Sequence, residues 1–269
     1  MLRRGVIASS KQAGSIYLLD NYDFDLAYHM EYQRASFVGS DVITARRDND
    51  NAESGFTPTE ITDGTLQSWV GVGNSGFIKT FHNQGSLGSS YDLVQTTANK
   101  QLRIVDTSNN LEVNADGDVA GKFLTQSGAM SVNWTPSSST LTHWFDGQDG
   151  GLSGNFTLSW DNNASKRAFM LGSTTVRMSF GSVQTTASQS NNVRELYYIY
   201  NNAASSEGGV NGGTAVVVSG SPGATSAGTT FWVGGTPTTN GLSGGYYRGS
   251  FHKDGDYKSN RASIETYIL

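Results

Sequence analysis

The sequence predicts an all-β sandwich with a few short helices, and three observations carry that prediction. Glycine is abundant (33) and proline scarce (4) in a 269-residue chain rich in Ser, Thr and Asn, the composition of many short strands joined by tight turns. After residue 100, short alternating or apolar runs recur at close intervals with turn clusters between them. Charged residues make up only 15% and aromatics reach 11%, too few charges and too many rings for a disordered chain. A chain of this length can bury a sizeable core as one β-domain, and no composition break or internal repeat divides it.

The elements follow in order. Residues 1–16 read as an extended N-terminal arm carrying Arg3, Arg4 and Lys11. From Tyr17 the stretch YLLDNYDFDLAYHMEYQR starts apolar and then predicts a short helix. Asp20 or Asn21 would cap it, and Phe24, Ala27, Tyr28 and Met30 recur at near-helical spacing. A strand follows over 41–47, then the polar turn DNDNAESG. TDGTLQSWVGVG suggests a short helix with Leu66, Trp69 and Val70 on one side, and FIKTF (77–81) alternates as a half-buried strand should. Later candidate strands are QLRIVD, GAMSVNW, LTHWF, FTLSW, RAFMLG, VRMSFG, VRELYYIY, TAVVVSG, TFWVGG and GYYRGSF. Ile264, Tyr267 and Ile268 form the apolar stripe of a last helix that Ser259 or Asn260 would cap.

Several function classes are excluded or disfavoured. A net charge of −5 supplies no cation excess for broad nucleic-acid binding. The absence of cysteine removes disulfides and thiolate metal sites. No apolar run is long enough to cross a membrane, and the basic start lacks the apolar core of a signal peptide, so synthesis in a cytosol is expected. The sequons at Asn133, Asn155 and Asn163 are then read as coincidence.

LLDNYDFDLAYHMEYQRASFVGSDVITARRDNDNAESGF resembles the opening of a concanavalin A-like, laminin-G-like jelly-roll family. That family occurs in bacteriophage structural proteins and Bacteroidetes surface proteins and is related to the arabinofuranosidase B catalytic domain. Arg46, Arg47, Asp48, Asn51, Ala52 and Glu53 fit its arginine pair, Asn/Asp turn and acidic stretch. Gln95 to Asn99, with Gln101, Ile104 and Val105, match its next block. FDGQDG (145–150) is similar to its Phe-Asp-Gly-x-Asp-Asp turn, and YKSNRASIETYI to its C-terminal helix. Residues 107–140 are longer than the family pattern and are read as an insertion. The resemblance implies a concanavalin A-like jelly-roll β-sandwich over residues 17–269. It further implies a virion structural protein, such as a head fibre, decoration or tail adhesin. Such a protein would dock on other virion proteins through its arm, form homo-oligomers such as trimers, and present a lectin-like face to host glycans.

Two other classes stay open, a free carbohydrate-binding module and a glycoside hydrolase. Trp144, Trp160, Trp232 and Tyr246 are the candidate sugar-stacking aromatics, since an exposed ring stacks on a sugar ring, although core packing is the competing reading for each. Glu195 lies by alternation with Val193, Tyr197 and Ile199, where a carboxylate could bond sugar hydroxyls; the competing reading is an ion pair with Arg177 or Arg194. No second carboxylate marks itself as a hydrolytic partner, so no catalytic residue is assigned. His82, in HNQGS where the family has Tyr-Asp-Gln-Ser-Gly, reads as part of a framework turn because no partner is evident. NADGDVAG (114–121) alternates oxygen ligands but lacks the glycine and glutamate of an EF-hand. FDGQDG and HKDGDY read as Asp-Gly turns. No metal or other cofactor is expected, with calcium left open by the resemblance.

Overall fold

The computed structural model describes residues 16–125, 128–138, 140–149, 156–160, 167–171, 175–180, 183–188, 193–202, 205–217, 229–235 and 243–269; between 156 and 188 it describes backbone only, apart from Leu158. The arm residues Arg3, Arg4 and Lys11 lie outside the described residues.

Antiparallel pairing builds two layers. Sheet A has the order β1 (Leu26–His29), β18 (Tyr246–Asp254), β9 (Leu141–Gln148), β14 (Arg194–Asn201), β15 (Glu207–Val210) and β16 (Val216–Val217). Sheet B begins β3 (Glu53–Phe56), β2 (Ile43–Arg47), β4 (Gly76–Phe81), β5 (Leu93–Val94) and β8 (Met130–Asn133). It continues through β17 (Thr230–Val233), β10 (Phe156–Trp160), β11 (Arg167–Leu171), β12 (Thr175–Phe180) and β13 (Val183–Ser188). β6 (Leu102–Val105) and β7 (Gly121–Lys122) link β4 of one sheet to β18 of the other. The all-β sandwich expected from composition and spacing is the fold observed.

The inter-sheet core takes the inward residues of both layers, among them Leu26, Tyr28, Phe145, Tyr197 and Ile199 from sheet A and Ile43, Ile78, Leu93, Val132 and Phe231 from sheet B. Two short helices close one end. α1 (Pro58–Thr62) starts on a capping box in which the Thr57 hydroxyl accepts from Glu60 N–H while the Glu60 carboxylate accepts from Thr57 N–H. α2 (Thr65–Val70) buries Leu66 and Val70. A second cluster lies on the outside of sheet A, where Phe24, Ala27, Trp144, Leu196, Tyr198 and Phe251 are roofed by Leu18, Leu19 and α3 (Arg261–Ile268) through Ile264 and Ile268.

Four sequence-based expectations are corrected. Within the stretch read as a helix, Leu26–His29 form strand β1 instead, with only a 3-10 turn at Leu18–Asp20 before it. Glu53 to Gly55, read as the end of the polar turn DNDNAESG, belong to strand β3, while the stretch 107–140 supplies β7, which bridges the sheets, and β8 in the middle of sheet B. Asn260 holds the N-cap position of α3 without a side-chain cap bond, and a 3-10 turn leads in instead. Asp146 and Gly147 belong to strand β9 rather than to a turn. Gly147 is required there, because a Cβ would meet Phe145 Cε1 at 2.3 Å and Tyr246 O at 2.8 Å.

Candidate functional site

The two sheets differ in what their outer faces offer. On sheet A the outer face is sealed. Trp144 is fully buried, with its ring 5.5 Å from that of Phe24 and 5.2 Å from that of Tyr198, so the expectation that it stacks on a sugar is corrected. The C-terminal helix that roofs it is the physical reason.

Beside Trp144 the same face buries a charge network. Residue 248 is the extra residue of a β-bulge, since Tyr247 opposes Gly147 while Gly249 opposes Asp146. The bulge swings Arg248 onto the Asp146 side, where its Nη1 donates to Asp146 Oδ2 at 3.0 Å. Arg194 adds a two-pronged contact, Nε to Oδ1 and Nη2 to Oδ2, both at 2.8 Å. His29 Nδ1 accepts from Glu31 N–H, so the neutral ring carries its proton on Nε2, 3.8 Å from Asp146 Oδ2. Burial alone would raise the Asp146 carboxyl; His29 and the two guanidiniums pull it well below the ordinary carboxylate range. Arg194 also donates to Ile268 O at 3.0 Å, which ties the end of α3 to the network. The arrangement is a clamp that holds the roof on sheet A.

The outer face of sheet B carries partly exposed side chains instead. Trp232 alternates with the buried Phe231 and Val233, so its indole stands outward. It lines a cleft of about 210 Å³ with Val94, Gln95, Thr97, Lys100 and Ser131. The wall of the cleft is hydrogen-bonded in place: Gln95 donates to Ala129 O and accepts from Thr97 N–H, and Gln101 Nε2 donates to Gln95 O. A half-buried indole beside amide, hydroxyl and ammonium groups can stack on the apolar side of a sugar while its hydroxyls are bonded.

At the far side of the same face lies the stretch HNQGS. The β4–β5 hairpin pairs Thr80 with Val94 and Phe81 with Leu93, and that register brings residue 82 opposite residue 92. His82 Nδ1 donates to Asp92 Oδ2 at 2.7 Å, and Asp92 Oδ1 accepts from Asn83 N–H. With the proton held on Nδ1, the neutral ring leaves Nε2 to accept from the Thr44 hydroxyl at 2.9 Å. His82 and Asp92 line a cavity of about 460 Å³ with Arg34, Ser40, Asp41 and Ser86. Asn83 and Gln84 are buried and bind backbone of residues 25 to 33, so they are framework as expected. His82 is not the lone residue read from the sequence: it has a carboxylate and a hydroxyl partner.

The other candidates are dispersed. Glu195 is buried on the inner face, accepts from the Tyr197 hydroxyl at 2.8 Å and does not pair with Arg194, which binds Asp146. Tyr246 is partly buried and Lys122 Nζ sits 5.2 Å from its ring centroid, so one face of the ring is already used. The side chains of Trp160 and Arg177 lie outside the described residues. In NADGDVAG the Asn114 carboxamide accepts from the N–H groups of Asp116 and Asp118, closing a tight turn around Gly117, and both carboxylates face Arg194. Among the described residues no group of three or more His, Cys, Asp or Glu side chains is placed to hold a metal ion.

No protein-family model matches the chain, and no curated protein matches its sequence. Solved structures do match. An arabinofuranosidase complexed with arabinofuranosyl-α-1,2-xylobiose is similar at 14% identity and a TM-score of 0.65, over 94% of this chain and 64% of that one. A mutant GH54 α-L-arabinofuranosidase soaked with 4-nitrophenyl α-L-arabinofuranoside is similar at 16% identity and a TM-score of 0.66, with the same coverage. The likeness is one of fold. The chain spans 64% of the length of these arabinofuranosidases.

Proposed function

We propose that this chain is a carbohydrate-binding β-sandwich that takes glycans on the outer face of sheet B, with Trp232 as the stacking platform. One observation carries the reading: the half-buried Trp232 indole lines a polar cleft on that face, whereas the Trp144 face of sheet A is sealed by α3. The fold likeness to arabinofuranosidases solved with saccharide ligands supports it. Retention on a saccharide panel tests it, with Trp232→Ala as the variant. Losing a central tryptophan contact costs about 2 kcal/mol, or roughly thirtyfold in affinity. Retention of no saccharide, or equal retention by the variant, overturns the reading.

The family resemblance supports a finer version in which this sandwich is a virion protein of a bacteriophage, a head fibre, decoration or tail adhesin. The arm with Arg3, Arg4 and Lys11 would dock it on the particle and a homo-oligomer would present the glycan face. Mass spectrometry of gradient-purified particles tests this; a fixed copy number supports it, and presence only in the soluble lysate refutes it. A hydrolase related to the arabinofuranosidases is the alternative, supported by the fold alone, and release of 4-nitrophenol from 4-nitrophenyl α-L-arabinofuranoside decides it.

A further inference from the structure

The register of sheet B places five outward side chains in one line across its strands. Thr44 is opposite Thr80, Thr80 opposite Val94, Val94 opposite Ser131, and Ser131 opposite Trp232. Directly opposed residues share a face. All five are partly exposed, while their strand neighbours Ile43, Ala45, Phe81, Leu93, Met130 and Phe231 are buried. The line crosses four strand spacings, or ~19 Å at ~4.8 Å each. Each end opens into a cavity, the Trp232 cleft at one and the His82–Asp92 cavity, reached through the Thr44–His82 bond, at the other.

The chemistry along the line is that of a sugar chain. Trp232 and Val94 supply apolar surface, and Thr80, Ser131 and Thr44 supply hydroxyls. The Thr44 hydroxyl is held by His82, whereas those of Thr80 and Ser131 have no hydrogen-bond partner among the described residues. Each such group can donate one hydrogen bond and accept up to two, as a saccharide hydroxyl does. Among the described residues between the two ends, the Lys79 ammonium is neutralised by Glu53 at 2.7 Å. That argues for a neutral chain rather than a polyanion.

We infer that the ligand of this face is a neutral, linear oligosaccharide of about four residues lying across the strands from Trp232 to Thr44 and His82, one ring to roughly one strand spacing. The inference rests on the carbohydrate-binding reading above and adds the ligand's shape, length and direction.

The test is calorimetric titration of the whole protein with linear xylo-, arabino- and cello-oligosaccharides of one to six residues. For whichever series binds, affinity should rise with each residue up to the tetramer and then level off. Thr80→Arg, which plants a long side chain in mid-line, should bring tetrasaccharide affinity down to that of the disaccharide, roughly tenfold or more. Thr80→Val removes only the hydroxyl and guards against a folding defect; it should weaken the tetrasaccharide several-fold. If mono- and tetrasaccharides bind alike and both Thr80 variants match the wild type while Trp232→Ala fails, the line is wrong but the Trp232 site stands. If no series binds, or Trp232→Ala binds as the wild type does, the parent reading falls and this inference with it.

Discussion

Acidification should weaken this protein through two imidazoles in its core. His143 and His252 face each other across the β9–β18 pair with Nδ1 atoms 2.9 Å apart, in a pocket of Trp134 and Phe231 rings. In the neutral pair one nitrogen donates and the other accepts; protonating both sets N–H against N–H. Burial pushes His143 down to about 3, and burial with the neighbouring imidazole pushes His252 down as well. The sign follows from linkage. A histidine whose folded pKa lies below its unfolded value of ~6.5 takes up a proton more readily when unfolded. The stability it protects is complete above pH ~6.5 and is lost as pH falls toward the folded value. For His143, from pH 7 to pH 5, the loss is about 2 kcal/mol, at ~1.4 kcal/mol per pH unit. His252 and His29, also lowered by burial, act in the same direction. The assay is urea unfolding at pH 7, 6 and 5 for the wild type and His143→Gln. The wild type should lose about 2 kcal/mol more than the variant over that range. Equal slopes, or an NMR titration placing the native His143 midpoint above 6, would refute the reasoning.

Three further outcomes follow from local geometry. Asp146→Asn leaves two guanidiniums on an uncharged partner inside sheet A, so chemical denaturation should show a loss of about 3–5 kcal/mol, with α3 released first in hydrogen exchange. Gly147→Ala drives a methyl into Phe145 and the Tyr246 carbonyl and should cost about 1–3 kcal/mol in the same assay. Thr57→Ala breaks the capping box of α1 and should cost about 1 kcal/mol, without altering saccharide affinity measured by titration.

Most strands of sheet B are legible in the sequence, because their outer face meets solvent and period-two alternation survives, as in TFWV and FIKTF, although β3, β5 and β13 are not among the strands it predicts. Sheet A was harder. β1, β9 and nearly all of β14 are buried along their whole length, lying between the inter-sheet core and the roof of α3. A strand buried on both faces loses alternation, and LAYH with its neighbours then mimics a helical stripe. β15 is hidden for another reason: Gly208 and Gly209 give EGGV no side chains on which alternation could show. Trp144 and Trp232 could not be told apart by their own neighbours, since what buries Trp144 lies more than a hundred residues away in α3. The His82–Asp92 pair was within reach, because hairpin register alone sets residue 82 opposite 92 once β4 and β5 are paired. The Asp146 clamp was not, because it depends on a bulge at Arg248 that no local pattern announces.

The asymmetry of the two sheets is itself an argument about where a ligand can go. A sandwich buries the inner face of each sheet by construction, so of its sheet surfaces only the two outer faces can meet a ligand. Here one of them carries Trp144, Tyr198, Tyr200 and Phe251, a strongly aromatic surface, and the chain spends its last helix and residues 18–24 on covering it. The covering is held by more than apolar contact. Arg194 joins Asp146 to the Ile268 carbonyl, and Arg261 lies 4.5 Å from the Tyr198 ring centroid while bonding Glu265 and the Gly213 carbonyl. Opening that face for a ligand would mean breaking a buried ion cluster worth several kcal/mol before any contact was gained. The outer face of sheet B asks for no such opening: its hydroxyls and the Trp232 indole already stand at the surface between two cavities. The proposed glycan site therefore belongs on sheet B, with the sealed sheet A as its backing.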